Sequence, residues 1–114
     1  MSKLINVDQI RAANALSATE AKKKEGEGDN LSGFPSLIIN NGLISTIAFS
    51  VDKGGQHERI ASAISSHLSQ RGIILSASAK DLRDGLCSAS SSTLKLATTE
   101  SLEFLAYLKR FHRS

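Results

Sequence analysis

The scarcity of aromatic side chains is the tightest constraint this sequence places on its fold. Across 114 residues there are four Phe, one Tyr and no Trp. Sheet cores are rich in aromatic and β-branched residues. An interior built here must come from Leu, Ile and Ala, which suits packed helices. A chain of this length fits one domain over 1–114, with one modest core that hides roughly two-thirds of the unfolded chain's surface. The expected class is an all-α bundle of five to six helices with a long C-terminal helix.

The apolar spacing locates the helices. Val7, Ile10, Ala13 and Leu16 recur at three- and four-residue intervals and predict a helix over Val7 to Lys24 with that stripe facing inward. Lys22, Lys23 and Lys24 suit the negative pole of its C-terminal end. The polar, glycine-bearing stretch near 25–31, from Glu25 to Asn30, predicts a loop. From Leu31 to Gly55 two readings stand open. Asn41-Gly42 between two apolar runs fits a hairpin turn. A helical reading places Ser32 near a cap, Pro35 in a first turn and Gly42 between two short helices. Gln56 to Arg71 is a helix with Ile60, Ile64, His67 or Leu68, and Arg71 on one face, ended by Gly72. The segment 72–92 is less defined: Ile73 to Leu75 fit a strand or a packed loop, and Lys80 to Cys87 a brief helix with Asp81 in its first turn. Thr93 to His112 predicts the longest helix. Leu96, Ala97, Phe104, Leu105, Tyr107, Leu108 and Phe111 form its apolar arc, and Lys95, Lys109, Arg110 and Arg113 lie opposite, with Glu103 partly offsetting them.

Catalytic chemistry needs converging groups, and the sequence offers few. Cys87 has no His near it in sequence and suits a small buried residue better than a nucleophile. His57 and His67 are ten residues apart, not on successive turns of one helix face as in HExxH, and no Cys pair adds ligands for a metal. Asp81 and Asp84 share a helix face, but Lys80 and Arg83 interleave with them as on an ordinary charged surface. No phosphate-cradling glycine motif occurs. The expectation is a protein without catalytic residues, metal or cofactor. A single Cys excludes an internal disulfide and points to the cytoplasm. The opening MSKLINVDQIR lacks a signal-peptide core, and no stretch approaches the apolar length of a membrane span.

The net charge is +3 and the pI about 9.2. A mild basic excess permits nucleic-acid contact without requiring it. With so few aromatics, stacking on bases is a poor mechanism, so contact through phosphates is the mode such a chain can use.

Two stretches carry a resemblance. FPSLIINNGLISTIAF, followed by Lys53, sets Pro35, Leu37, Ile38, Asn41, Gly42, Leu43, Ala48 and Phe49 in order. ATTESLEFLAYLKRF sets Ala97, Thr98, Glu100, Leu102, Phe104, Leu105, Leu108, Lys109, Arg110 and Phe111 in order. Both resemble motifs of the small subunit of type III-B CRISPR complexes, the Cmr or RAMP module. The opening RAANAL, from Arg11, is a weaker third match, and the resemblance thins between Gly54 and Ser92.

The resemblance implies an all-helical fold, so the segment around Gly42 should be helical. It implies a non-catalytic subunit whose copies stack as a minor filament in a guide-RNA effector. Pairing between RNAs reads sequence there, and protein holds the backbone. The implied partners are other Cmr subunits, stacked copies of the chain, and guide and target RNA. Arg11, Lys53, Lys95, Lys109, Arg110 and Arg113 are the candidate phosphate contacts. Of these, Arg11, Lys53, Lys109 and Arg110 fall on motif-matched positions. The equivalent type III-A subunit and a protein–protein adaptor without RNA contact are the competing readings. The adaptor requires acidic residues such as Glu103, Asp81 or Asp84 to neutralise the basic strip.

Overall fold

The computed structural model describes residues 6–22 and 28–112. Six helices lie among the described residues: α1 (Val7–Lys22), α2 (Gly28–Asn41), α3 (Leu43–Lys53), α4 (Gly55–Gln70), α5 (Ala79–Cys87) and α6 (Ser91–His112). No strand occurs among the described residues. Of the loop expected near 25–31, residues 25–27 lie outside the described residues and Gly28 onward is helical.

The hairpin reading is overturned, because both segments around Asn41-Gly42 are helices. Gly42 is the single residue between them. Its N–H donates to the Ile38 carbonyl and its own carbonyl accepts from Thr46. That double duty needs φ +89° and ψ 159°, a region open essentially only to glycine. Gly54 makes a second one-residue joint, between α3 and α4, with φ +74°. The helical alternative also needs one correction. Pro35 lies well inside α2, not in its first turn. Losing one backbone bond costs about 3 kcal/mol. Leu31, Phe34 and Ile38 around it are buried, and each contributes about 1.5–3 kcal/mol on burial, enough to hold the helix through the defect.

The helix ends follow local chemistry. Asn6 and Gln9 exchange side-chain-to-backbone hydrogen bonds at 2.8 and 2.9 Å, a reciprocal cap on α1. Gly72, with φ +74°, ends α4 as expected. Its N–H reaches the Ser69 carbonyl and that of Ile73 the Leu68 carbonyl, the Schellman pattern. Ile73 to Leu75 belong to a packed loop, not a strand: Ile73 and Ile74 lean on the core and Leu75 is exposed. The Ser65 hydroxyl ties that loop to α4 through Ser76 Oγ and the Ser78 carbonyl. Ser78 caps α5 by accepting from the Asp81 N–H.

The core joins Phe34 and Ile38 of α2, Leu43 and Ile47 of α3, and Ile64 and Leu68 of α4 to Leu82 and Leu86 of α5. Phe104 and Leu105 of α6 close it. Thr46 and Ser50 are buried among them, and each hydroxyl is satisfied by the carbonyl one turn back. α1 and α6 run parallel, with Arg11 against Glu100 and Thr19 beside Leu108.

The inward face of α1 differs from the apolar stripe read in its sequence. Ala13 is exposed and Leu16 is 46% exposed. Arg11, Asn14, Ala15, Ala18 and Thr19 point inward instead. The periodicity misled because polar partners inside the protein satisfy this face. Leu96, placed in the α6 arc, is likewise 52% exposed.

Gly42→Ala should cost about 1–3 kcal/mol because of its backbone conformation alone, since no atom crowds the position. Gly33→Ala, an uncrowded glycine within α2, should instead stabilise by up to about 1 kcal/mol. Urea unfolding midpoints of the two variants check both signs.

Candidate nucleic-acid interface

α6 carries opposite jobs on its two sides. The outward stripe runs through Ser92, Lys95, Leu96, Thr99, Glu103, Ala106 and Arg110, all exposed, with Lys109 half-buried at its edge. Lys95 and Lys109 lie about 21 Å apart along the axis and within about 40° around it. Glu103 sits within this stripe, as its spacing implied. Among the described residues, Lys95 and Lys109 make no ion pair. Arg113 lies outside the described residues. Asp81 accepts the Ala77 N–H at 3.3 Å and Asp84 pairs with Arg83 at 2.9 Å, so both are engaged on or beside α5.

Lys53 is exposed on a different element, in the last turn of α3. Its charge falls where the helix pole favours it. His57 lies nearby, with its ring edge-on to Phe49 at 5.4 Å. Burial first, and the Lys53 charge second, hold the His57 pKa below its usual value.

Arg11 faces inward. Its Nε and Nη2 donate to the two oxygens of Glu100 at 2.8 and 2.9 Å, and Nη1 donates to Asp8 at 2.9 Å. Glu100 is 2% exposed. It also accepts from His67 Nε2 at 2.8 Å, while Arg71 Nε stands 3.6 Å away. His67 is stacked on Phe104 at 4.5 Å. Its Nδ1 meets Asn14 Nδ2 at 2.8 Å. A carboxylate only accepts, so Nε2 carries the ring proton and Nδ1 accepts from Asn14. The Arg11 bonds, above all, hold the Glu100 pKa at about 2 against a usual 4.5. Burial outweighs Glu100 and pulls the His67 pKa below its usual 6.5.

This cluster is hidden from sequence reasoning, which places His67 on an inward face without partners and treats Glu100 as a motif position only. Arg11, Glu100 and His67 meet across 89 and 33 residues of chain, a separation that local pattern cannot bridge. The signal available is a Glu inside an apolar arc, which demands a cation. Cys87, expected to be buried, is exposed. Its place at the last position of α5 turns it off the face that carries Leu82 and Leu86. No group of three or more His, Cys, Asp or Glu able to hold a metal occurs among the described residues.

Residues 7–114 match the family described as CRISPR-associated protein (Cas_Cmr5). The chain belongs to the Cmr5 family. Its fold is similar to that of a CRISPR-associated Cmr5 family protein from Thermus thermophilus, known from an X-ray crystal structure. The TM-score is 0.78, with 23% identity over 96% of each chain. No curated protein matches the sequence. Membership of the Cmr5 family makes the chain the small subunit of a type III-B CRISPR effector, and it removes the type III-A alternative. The other subunits of that effector are its implied partners.

Removing one member of a buried charge pair costs about 3–5 kcal/mol. Glu100→Ala should lose that much, whereas Asp8→Ala, at an exposed carboxylate, should lose less than about 1 kcal/mol. Acid should act in two stages. His67 binds its second proton less readily folded than unfolded, so stability falls as pH drops below 6.5. Glu100 contributes stability that is complete above 4.5 and lost as pH falls towards about 2. Denaturant unfolding across pH, with Glu100→Gln removing the lower stage, measures both.

Proposed function

We propose that this Cmr5 family subunit is a non-catalytic, cytoplasmic structural piece of the effector. It stacks with copies of itself in the minor filament and holds the guide–target RNA by its backbone. Lys95, Lys109 and Arg110 on the outward side of α6 are the phosphate contacts, with Arg113 following in sequence and Lys53 on α3 adding to them. Arg11 acts as a support, because its guanidinium is engaged by Glu100 and Asp8 and holds α1 against the back of the helix that carries the contacts.

The observation that carries this reading is the separation of charge across α6. The acidic residue that faces inward, Glu100, is matched inside the protein. Lys95 and Lys109 face the surface without an ion pair among the described residues. A surface kept this way attracts phosphate oxygens over a distance set by salt. The engagement of Asp81 and Asp84 on or beside α5 counts against two of the acids that the adaptor reading offers to neutralise the strip. Phosphate contacts of this kind position RNA and carry no sequence code.

In the reconstituted effector, Lys95→Gln, Lys109→Gln and Arg110→Gln together should weaken target RNA binding equally for different target sequences. The slope of log affinity against log salt should become shallower by roughly 0.7–0.9 for each phosphate that is no longer neutralised. Unchanged affinity and slope, with the complex still assembled, would leave the adaptor role in its place.

A further inference from the structure

A groove of about 450 Å³ runs between α1 and α4, lined in part by Asn14, Ser17, Ser62, Ser66, His67 and Gln70. Of the buried charge cluster, His67 lines it. His67 reaches Glu100 on one side and Asn14 on the other. Asn14 Nδ2 donates both to His67 Nδ1 at 2.8 Å and to Gln70 Oε1 at 3.1 Å. These bonds use the nitrogen of Asn14 and the oxygen of Gln70. The Asn14 oxygen and the Gln70 nitrogen are the amide heads they leave over.

We propose that Asn14 and Gln70 form a proton-operated relay, in which a second proton on His67 reverses both amides and so exchanges the hydrogen-bonding atoms available to the groove. The neutral ring satisfies every bond in the row: Nε2–H donates to Glu100, and Nδ1 accepts from Asn14. A second proton occupies Nδ1 and sets a donor against the Asn14 NH₂. Rotation of the Asn14 amide about its terminal torsion, which has two broad wells about half a turn apart, removes the conflict. Asn14 Oδ1 then accepts from Nδ1–H. Gln70 follows, turning its nitrogen towards the same oxygen, which has a second lone pair. The amide heads left over become the Asn14 nitrogen and the Gln70 oxygen, the reverse of the first state.

The described charged groups around the ring act in opposite directions. Glu100 on α6 favours the second proton. Arg11 on α1 and Arg71 at the end of α4 oppose it, and Arg59 lines the same groove from α4. Arg11 and Arg71 already balance Glu100 and Asp8, so the added proton leaves this cluster with a net positive charge. Burial of the ring acts in the same sense and outweighs the pull of Glu100. The first state is therefore the one at neutral pH, and the relay operates on its acid side.

Nitrogen-15 NMR of the full chain follows all three side chains through a pH titration. At neutral pH the His67 ring should carry its proton on Nε2 alone. On acidification the side-chain amide signals of Asn14 and Gln70 should move with the His67 midpoint. Asn14→Asp places an acceptor-only carboxylate against Nδ1. The His67 midpoint should then rise by about 1–3 pH units, and the Gln70 signal should no longer follow a titration near the wild-type midpoint. A neutral ring protonated on Nδ1, amide signals that stay still through the His67 transition, or an unchanged midpoint in Asn14→Asp would each overturn the relay.

Discussion

Glu100 is an ionised carboxylate almost sealed inside a small protein. Taking a charge out of water costs several kcal/mol, and it is tolerated only where hydrogen-bonded counter-charges surround it. Here Arg11 grips both carboxylate oxygens, His67 donates to one of them, and Arg71 stands behind. The consequence is architectural. α1 has a thin apolar contribution, with Ala15 the one fully buried hydrophobic residue among those whose side chains are described. Its seat along α6 depends on matching Glu100, and that match fixes which way α1 turns and which residues it leaves outside.

The same requirement sorts the charges of α6. A helix this long could place its cations anywhere around its axis. Glu100, Phe104 and Leu108 fix the inward side, so Lys95 and Arg110 must face out. In the proposed role the inner charge secures the fold, while the outer face of the helix is turned to RNA. In that role a mild net charge of +3 is enough, since it is the local gathering of cations on one helix face that would attract phosphate.

Local chemistry makes much of this legible in the sequence. Gly72 ends α4 where a helix stop is expected, Asp81 falls in the first turn of α5, and the α6 arc holds apart from Leu96. These features depend on near neighbours in the chain. The failures come where distant partners decide. The stripe Val7, Ile10, Ala13, Leu16 is a fair amphipathic pattern, yet α1 turns Arg11 and Asn14 inward because Glu100 and His67 meet them there. Asn41-Gly42 fits both a hairpin and a helix joint, since both use a glycine at positive φ; resemblance to a family decides between them. The preference of proline for a helix start points Pro35 to a first turn, and burial around it overrides that preference. Of the candidate contacts, Lys53, Lys95 and Arg110 are exposed and Lys109 is half-buried, while Arg11 has a partner that charge counting cannot foresee.

The most direct test of this division is photochemical cross-linking of target RNA to the native effector, recovered through a tag on this subunit, followed by mass spectrometry of the cross-linked peptides. The account predicts adducts on peptides from the outward stripe of α6, between Lys95 and Arg110, and none on the peptide around Arg11. Adducts around Arg11 with α6 untouched, or an effector in which this subunit never cross-links to RNA, would contradict it.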